Sequence, residues 1–549
     1  MKFKCLLLCL LIFNFIEAQT YEIKYDEFYN NILVKNSSEI VLFAQNDFSL
    51  LTSQNQQKIY PEISTYYNYK EDFTVKKAIL NNNKTIYTQI KTIDNGFTFE
   101  LTDSIKKING YTCKLALTSR NSNQIKIWYT NELKVKGSPK SIGSSLGLVL
   151  QLSINDNAIT TVSSIKKLKK NIDLSLPKST IYINAIDFED ELWKSKFTRI
   201  EVFKNDTINF TQLKNDHNEI KKFANGTVIT KKIKIPELTA NDQVFVDLVS
   251  YSQGDAYDRT GSVFVIFPNS KKQTFQSALY EGIATIPLYE NNKKNEYRGF
   301  VATETYEPVL EIMRFFTPFG VQKFNTLKLK GRDWQNEVMY RQDISELNAA
   351  LSNNEIILGT YIGNYDTNGH NVSLNISIHK GNTNLPKFDK VIPLFNTVNI
   401  LEMAGQNYAD LFENNNELKI TFTLDETIEN GILRYITTGH GGWAAGDEFL
   451  QKKNTVFLNG KVIYEFIPWR VDCGSYRNYN PASGNFENGL SSSDLSRANW
   501  CPGTITYPIY IPIGNLSKGT HTLSVKIPQG PKQGNSFSFW NVSGVLLGN

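Results

Sequence analysis

From Ile40 to Leu547 the chain is a succession of short runs such as IVLFAQ, NQIKIWYT, QVFVDLV, SVFVIF, ELKITFTL, KVIYEFI, ITYPIYIPI and FSFWNVSGVLL. They are rich in β-branched and aromatic residues and many alternate apolar with polar, a period that sends successive side chains to opposite faces of a strand. Turn residues separate them at short spacing, which restricts the fold to all-β sandwiches or barrels. Helical signals are few. IPELTAND and DISELNAALSN each suggest a turn or two, the second with Asp343 placed to cap it.

At roughly 150 residues per domain, 549 residues imply three or four domains. The lysine-rich stretch from Ser163 to Ser179, broken by Pro177, marks a boundary near 180, and GNTNLPKFDK over 381–390 marks a second. The expected division is therefore 19–180, 181–382 and 383–549. A hydrophobic content of 41% supplies packed cores, and 59 basic against 54 acidic residues leave a net charge of +5. So small an excess on so large a surface gives no electrostatic footprint for nucleic acid.

Residues 1–18 put Lys2 and Lys4 before an apolar run from Cys5 to Phe13, with Ala18 as the small residue at a cleavage point. This pattern predicts a signal peptide, and the run is shorter than the roughly 20 residues a membrane span requires. A secreted or periplasmic protein is expected, with no membrane partner once the signal is removed. Three cysteines then remain. Cys473 and Cys501 enclose a Gly/Asn/Ser-rich loop and are the natural disulfide in an oxidising compartment, whereas Cys113 lies in an alternating run as a small buried hydrophobe.

Three patches carry candidate chemistry. SYSQGDAYDRTGSVFVIF sets Asp255, Asp258 and Arg259 at a turn entering a strand, where a neighbouring cation tunes a carboxylate base. RYITTGHGGWAAGDEFL interrupts strand-like runs with glycines around His440, Trp443, Asp447 and Glu448, the acid-plus-aromatic combination that engages sugars. The loop closed by Cys473 and Cys501 ends with Arg497 and Trp500, which a disulfide would hold rigidly over a cleft.

Together the patches resemble the peptide:N-glycosidase F family. The resemblance is carried by YDRTGSVFV (Tyr257–Val265), EIMRFFTPFG (Glu311–Gly320), TTGHGG with GDEF (Thr437–Phe449) and SRANWCPG (Ser496–Gly503), over residues 190–549. It implies two adjacent eight-stranded antiparallel jelly rolls and an amidase that cleaves the bond between asparagine and an N-linked glycan. By resemblance Asp258 and Glu448 are the catalytic acids, and Arg259, His440, Trp443, Arg497 and Trp500 bind substrate. No metal or cofactor is implied, the partner is an N-glycosylated protein or peptide, and a monomer is expected.

Two departures stand out. Where the family flanks its second acid with a disulfide, this chain has Gly446 and Leu450, so packing alone is expected to hold the Glu448 loop. The family's third acid has no clear counterpart in LGTYIGNYDTNGH, where Tyr361, Gly363 and Tyr365 fall near its position and Asp366 is the substitute on offer. Upstream, GYTCKLA, KIWYTNEL and SSLGLVLQL look like a GLPGLI-type β domain, the bowl-like addition of a second type of the family. Competing readings are a glycoside hydrolase, which also uses two carboxylates, and an inactive carbohydrate-binding relative. A copper oxygenase needs clustered histidines, and the five here show no closely spaced pair.

Overall fold

A computed structural model describes all residues except 1–18, 35–37, 56–59, 171, 175, 177–179, 213–218, 323–329, 382–387, 415, 442–445 and 482–491. The expected signal peptide and Trp443 lie outside the described residues. The chain divides into two compact units, 1–197 and 198–549.

The N-terminal unit is one antiparallel sheet of 12 strands. Its first strand, Tyr21–Tyr29, pairs on one side with Ser38–Ala44 and on the other with the last, Ala158–Lys167. Two meanders therefore run outward from the middle, one ending at Thr85–Lys91 and the other at Glu100–Ile108. Ile23, Tyr25, Leu42, Cys113 and Leu150 fill one of its cores, so the Cys113 thiol is buried and unpaired as its alternating context suggests.

The unit ends later than the boundary expected at 180, because a helix, α1 (Ala185–Lys194), joins it. Asn184 caps α1 by accepting the Asp187 N–H, and the i,i+4 pair Phe188 and Leu192 packs on Ala78, Leu80 and Ile86. The two helical segments expected elsewhere differ from each other. Asp343 Oδ1 accepts the Ser345 N–H at 2.9 Å and starts a short helical stretch ending at Leu351, whereas IPELTAND forms none.

The C-terminal unit is two jelly-roll sandwiches. Six of its strands matter below: β1 (Thr260–Ile266), β2 (Leu310–Phe316), β3 (Glu355–Ile362), β4 (Ile428–Gly441), β5 (Ile505–Thr506) and β6 (Ser538–Gly548). The first sandwich lays the sheet Phe197–Ile208, His370–His379, Gln243–Ser252, Glu337–Asp343 against a second in the order Ile220–Phe223, Val228–Lys234, β3, β1, β2, β5. The second sandwich has four strands in each sheet, with Lys390–Asn396, β6, β4 and Ile509–Leu516 forming its inner layer. The first sandwich thus has four strands facing six, since β5 arrives from the other half of the chain through Thr506 opposite Arg314.

The two inner sheets press together. Every residue of β2 is buried, and Val545 and Leu547 of β6 share a core with Val263, Val265 and Ile312, the continuous apolar pattern of strands covered on both faces. Glu311 and Arg314 lie three apart, which in a regular strand would put them on opposite faces. A bulge resolves this: Val263 pairs with Met313 and Phe264 with Glu311, leaving Ile312 as the extra residue. Both side chains consequently point into the seam, fully buried, with Arg314 Nη2 2.6 Å from Glu311 Oε2. Ser262 donates to the same carboxylate from β1 at 2.9 Å, Ser543 donates from β6, and Arg314 donates to Thr438 of β4 at 3.3 Å. The EIMRFFTPFG motif is thereby the clamp between the sandwiches.

Candidate active site

At one end of the seam a cleft of about 580 Å³ is lined by residues from β1, β3, β4, the disulfide-closed loop and the segment leading into β6. Asp258 and Arg259 enter it from the turn before β1 and Thr260 from the first position of that strand, with the Arg259 N–H donating to Thr317 Oγ1 at 2.8 Å. Gly261 follows because a Cβ there would stand 2.2 Å from the Phe315 ring. His440, Glu448 and Trp500 approach from the second sandwich. Gly439 lets that wall close, since a Cβ would meet Trp540 at 2.7 Å and Ala498 at 2.9 Å.

Arg497 ties the two predicted acids together. Its Nη2 lies 3.2 Å from Asp258 Oδ2 and its Nη1 pairs with Glu448 Oε1, while the side chain is only 1% exposed. The guanidinium sits 4.4 Å over the Trp500 ring, which itself stacks on Phe316 at 4.4 Å and donates from Nε1 to the Gly439 carbonyl at 2.9 Å. A planar cation fixed by two carboxylates and an aromatic face has little rotational freedom. The anchoring disulfide is formed, Cys473 to Cys501.

Burial raises the Asp258 carboxyl above its usual value, opposed by the charges of Arg497 and Arg259. Arg259 does not pair with Asp258 directly. It forms a two-pronged bond with Asp255, Nε to Oδ2 at 2.7 Å and Nη2 to Oδ1 at 3.1 Å, with His370 Nε2 3.5 Å behind the same carboxylate. His440 is buried against Phe539 and Trp500, with Nε2 2.8 Å from Thr438 Oγ1. Burial, then the charges of Arg314 and Arg497, push its pKa well below the usual histidine range, so it stays neutral.

The Glu448 loop is held by more than packing, which corrects that expectation. Neighbouring Asp447 is fully buried and accepts from Trp540 Nε1 at 2.8 Å and from the Gly530 N–H at 3.1 Å, and the Ala498 N–H donates to the Glu448 carbonyl at 2.9 Å. Asp366 is not a cleft acid: its Oδ1 accepts the N–H groups of Asn368 and Gly369 and closes a turn. The third acid on the cleft is Glu402, which the sequence reading missed. Tyr361 donates to it at 2.9 Å, and Tyr365 and Tyr408 also donate to its carboxylate.

Three family models match the chain. Models described as peptide-N-glycosidase F, N terminal and C terminal, match residues 199–378 and 407–547, and one described as the N-glycanase peptide N-terminal domain matches 23–190. The chain belongs to the peptide-N-glycosidase F family. A crystal structure of PNGF-II is 47% identical over 97% of this chain and 98% of its own, with a TM-score of 0.87. A second crystal form of PNGF-II gives the same identity and TM-score. PNGase F from Flavobacterium meningosepticum is 15% identical over 64% of this chain and 96% of its own, at a TM-score of 0.40. Among curated proteins nothing matches. No helix among the described residues is long and apolar enough to cross a membrane.

Proposed function

We propose that this protein hydrolyses the amide joining an asparagine side chain to the first N-acetylglucosamine of an N-linked glycan, on glycoproteins or glycopeptides. The observation that carries the reading is the bridging of Asp258 and Glu448 by Arg497 at the cleft. Amide hydrolysis needs an activated water and charge control around the carbonyl, and a carboxylate beside a fixed cation meets that need.

Asp258 is the base. It takes a proton from water as the oxygen adds to the side-chain carbonyl carbon, and the proton passes to nitrogen as the C–N bond breaks. The products are aspartate in the peptide and a glycosylamine. Arg497 orients Asp258 and Glu448, and Glu448 orders the sugar and the water. Arg259, fixed by Asp255, presents its remaining N–H groups to the substrate, while Phe537 and Phe539 offer apolar faces to sugar rings and Trp500, held between Phe316 and Arg497, keeps the guanidinium in place. Neutral His440 is a wall and hydrogen-bonding group, not a proton donor. Glu402 with its tyrosines accepts hydroxyls at the sugar beyond the first. The family reaction, secretion through residues 1–18 and action as a monomer form one consistent reading of an exported deglycosylating enzyme.

The test is a glycopeptide incubated in heavy-oxygen water. Mass spectrometry should find aspartate carrying one labelled oxygen, and Asp258→Asn or Glu448→Gln should abolish or strongly reduce conversion while leaving the fold intact. Asparagine retaining one sugar would instead identify a glycoside hydrolase, and untouched substrate a binding protein.

A further inference from the structure

A second cavity, of about 390 Å³, opens between the two sandwiches and plays no part in the chemistry above. Its lining includes Gln342, Asp343, Glu346, Phe388, Tyr507 and Tyr510. Ile432 of β4 also borders it, eight residues before His440, so at ~3.4 Å per strand residue it lies about 27 Å from the cleft.

The polar groups select a neutral ligand. Glu346 already balances its charge against Arg434, Nε to Oε1 at 2.7 Å, and the same oxygen accepts the Tyr510 hydroxyl at 2.9 Å. Asp343 uses Oδ1 for the Ser345 N–H and hydroxyl. Gln342, only 4% exposed, donates from Nε2 to the Asp343 carbonyl at 2.8 Å, and its Oε1 has no hydrogen-bond partner. Acceptors thus predominate, which disfavours anions, and the Glu346 carboxylate is already neutralised by Arg434, which weakens the pull on cations. The walls add the complementary feature: Tyr507 and Tyr510 are 64% and 45% exposed, presenting rings to solvent beside Phe388 and Pro508. A flat apolar face next to hydroxyl acceptors fits the C–H face and rim hydroxyls of a pyranose.

We infer that this cavity is a second saccharide-binding site, taking one or two neutral sugar residues independently of the amidase cleft. Its test reads binding and does not depend on hydrolysis. Ligand-observed NMR on the full chain, with chitobiose and α-linked mannotriose as probes, should show binding that persists in the cleft variant Glu402→Gln. Tyr507→Ala should weaken it at least tenfold, Tyr507→Phe should largely restore it, and neither should change kcat/KM on a short glycopeptide. Binding of both probes confined to the cleft, or unchanged in Tyr507→Ala, overturns the site. Preferential binding of a lysine-rich peptide at Tyr507 and Tyr510 overturns its saccharide assignment.

Discussion

Asp258 is pulled two ways, and the balance predicts a pH profile. Burial raises its pKa while Arg497, the largest opposing influence, lowers it, and the net shift is upward. A base works only when ionised, so the acidic limb of kcat/KM should lie above the usual aspartate range, near 3.8. Arg497→Gln removes the opposing charge and should move that limb to still higher pH. A limb that stays put or falls would separate Arg497 from Asp258. Neutral His440 should add no limb of its own, so His440→Gln should leave the shape of the profile unchanged. Glu402 is a different case. A lost hydrogen bond to a charged group is worth roughly 1.5–3 kcal/mol, so Glu402→Gln should lower kcat/KM about 10- to 100-fold on a chitobiose-bearing glycopeptide. It should do so far less on a substrate with a single sugar. The first acids were legible because each sits in a local motif beside its neighbours. Glu402 was not, since two of its three tyrosine partners, Tyr361 and Tyr365, lie 41 and 37 residues away and reach it from the end of β3 and the segment after it.

Among the elements, the loop between Cys473 and Cys501 carries the most consequence. It supplies both Arg497 and Trp500, and its closure over a separation of 28 residues is worth about 3 to 4 kcal/mol in the chain-entropy model. Replacing both cysteines by serine should lower unfolding stability by about that amount in urea titration. Activity should fall further than stability explains, because the Arg497 guanidinium loses its fixed position over Trp500. Full activity in a well-folded double variant would show that the aromatic stack and the Arg470–Arg497 backbone bonds suffice. Strands such as Gln243–Ser252 could be read directly, because one face meets the core and inside–outside alternation follows. Helix α1 escaped notice for a physical reason. Only Phe188 and Leu192 of its ten residues are buried, so its apolar stripe is too narrow to stand out beside the lysine-rich segment before it.

For the whole molecule, the decisive contact is the seam, where a buried ion pair joins sheets from two sandwiches. Sequence patterning marks β6 as a strand and β2 only as part of a family motif, and neither reading shows what covers them. The covering strand lies more than 200 residues away, and the bulge that aligns Glu311 with Arg314 depends on pairing with β1. The same network reaches the cleft, because Arg314 contacts Thr438 and Thr438 contacts His440. Arg314→Met should therefore do two things. It leaves Glu311 charged and buried without its partner, a loss of about 3–5 kcal/mol in unfolding free energy. It also frees Thr438, so residual activity should show a changed kcat at nearly constant KM. Pairing it with Glu311→Gln should recover a substantial part of the stability, since the uncompensated charge is gone and an amide can still meet Ser262 and Ser543. Denaturant titration of the two single variants and the double gives the coupling. Additive losses would mean that the sandwiches are held by their apolar faces alone, with the ion pair contributing only alignment.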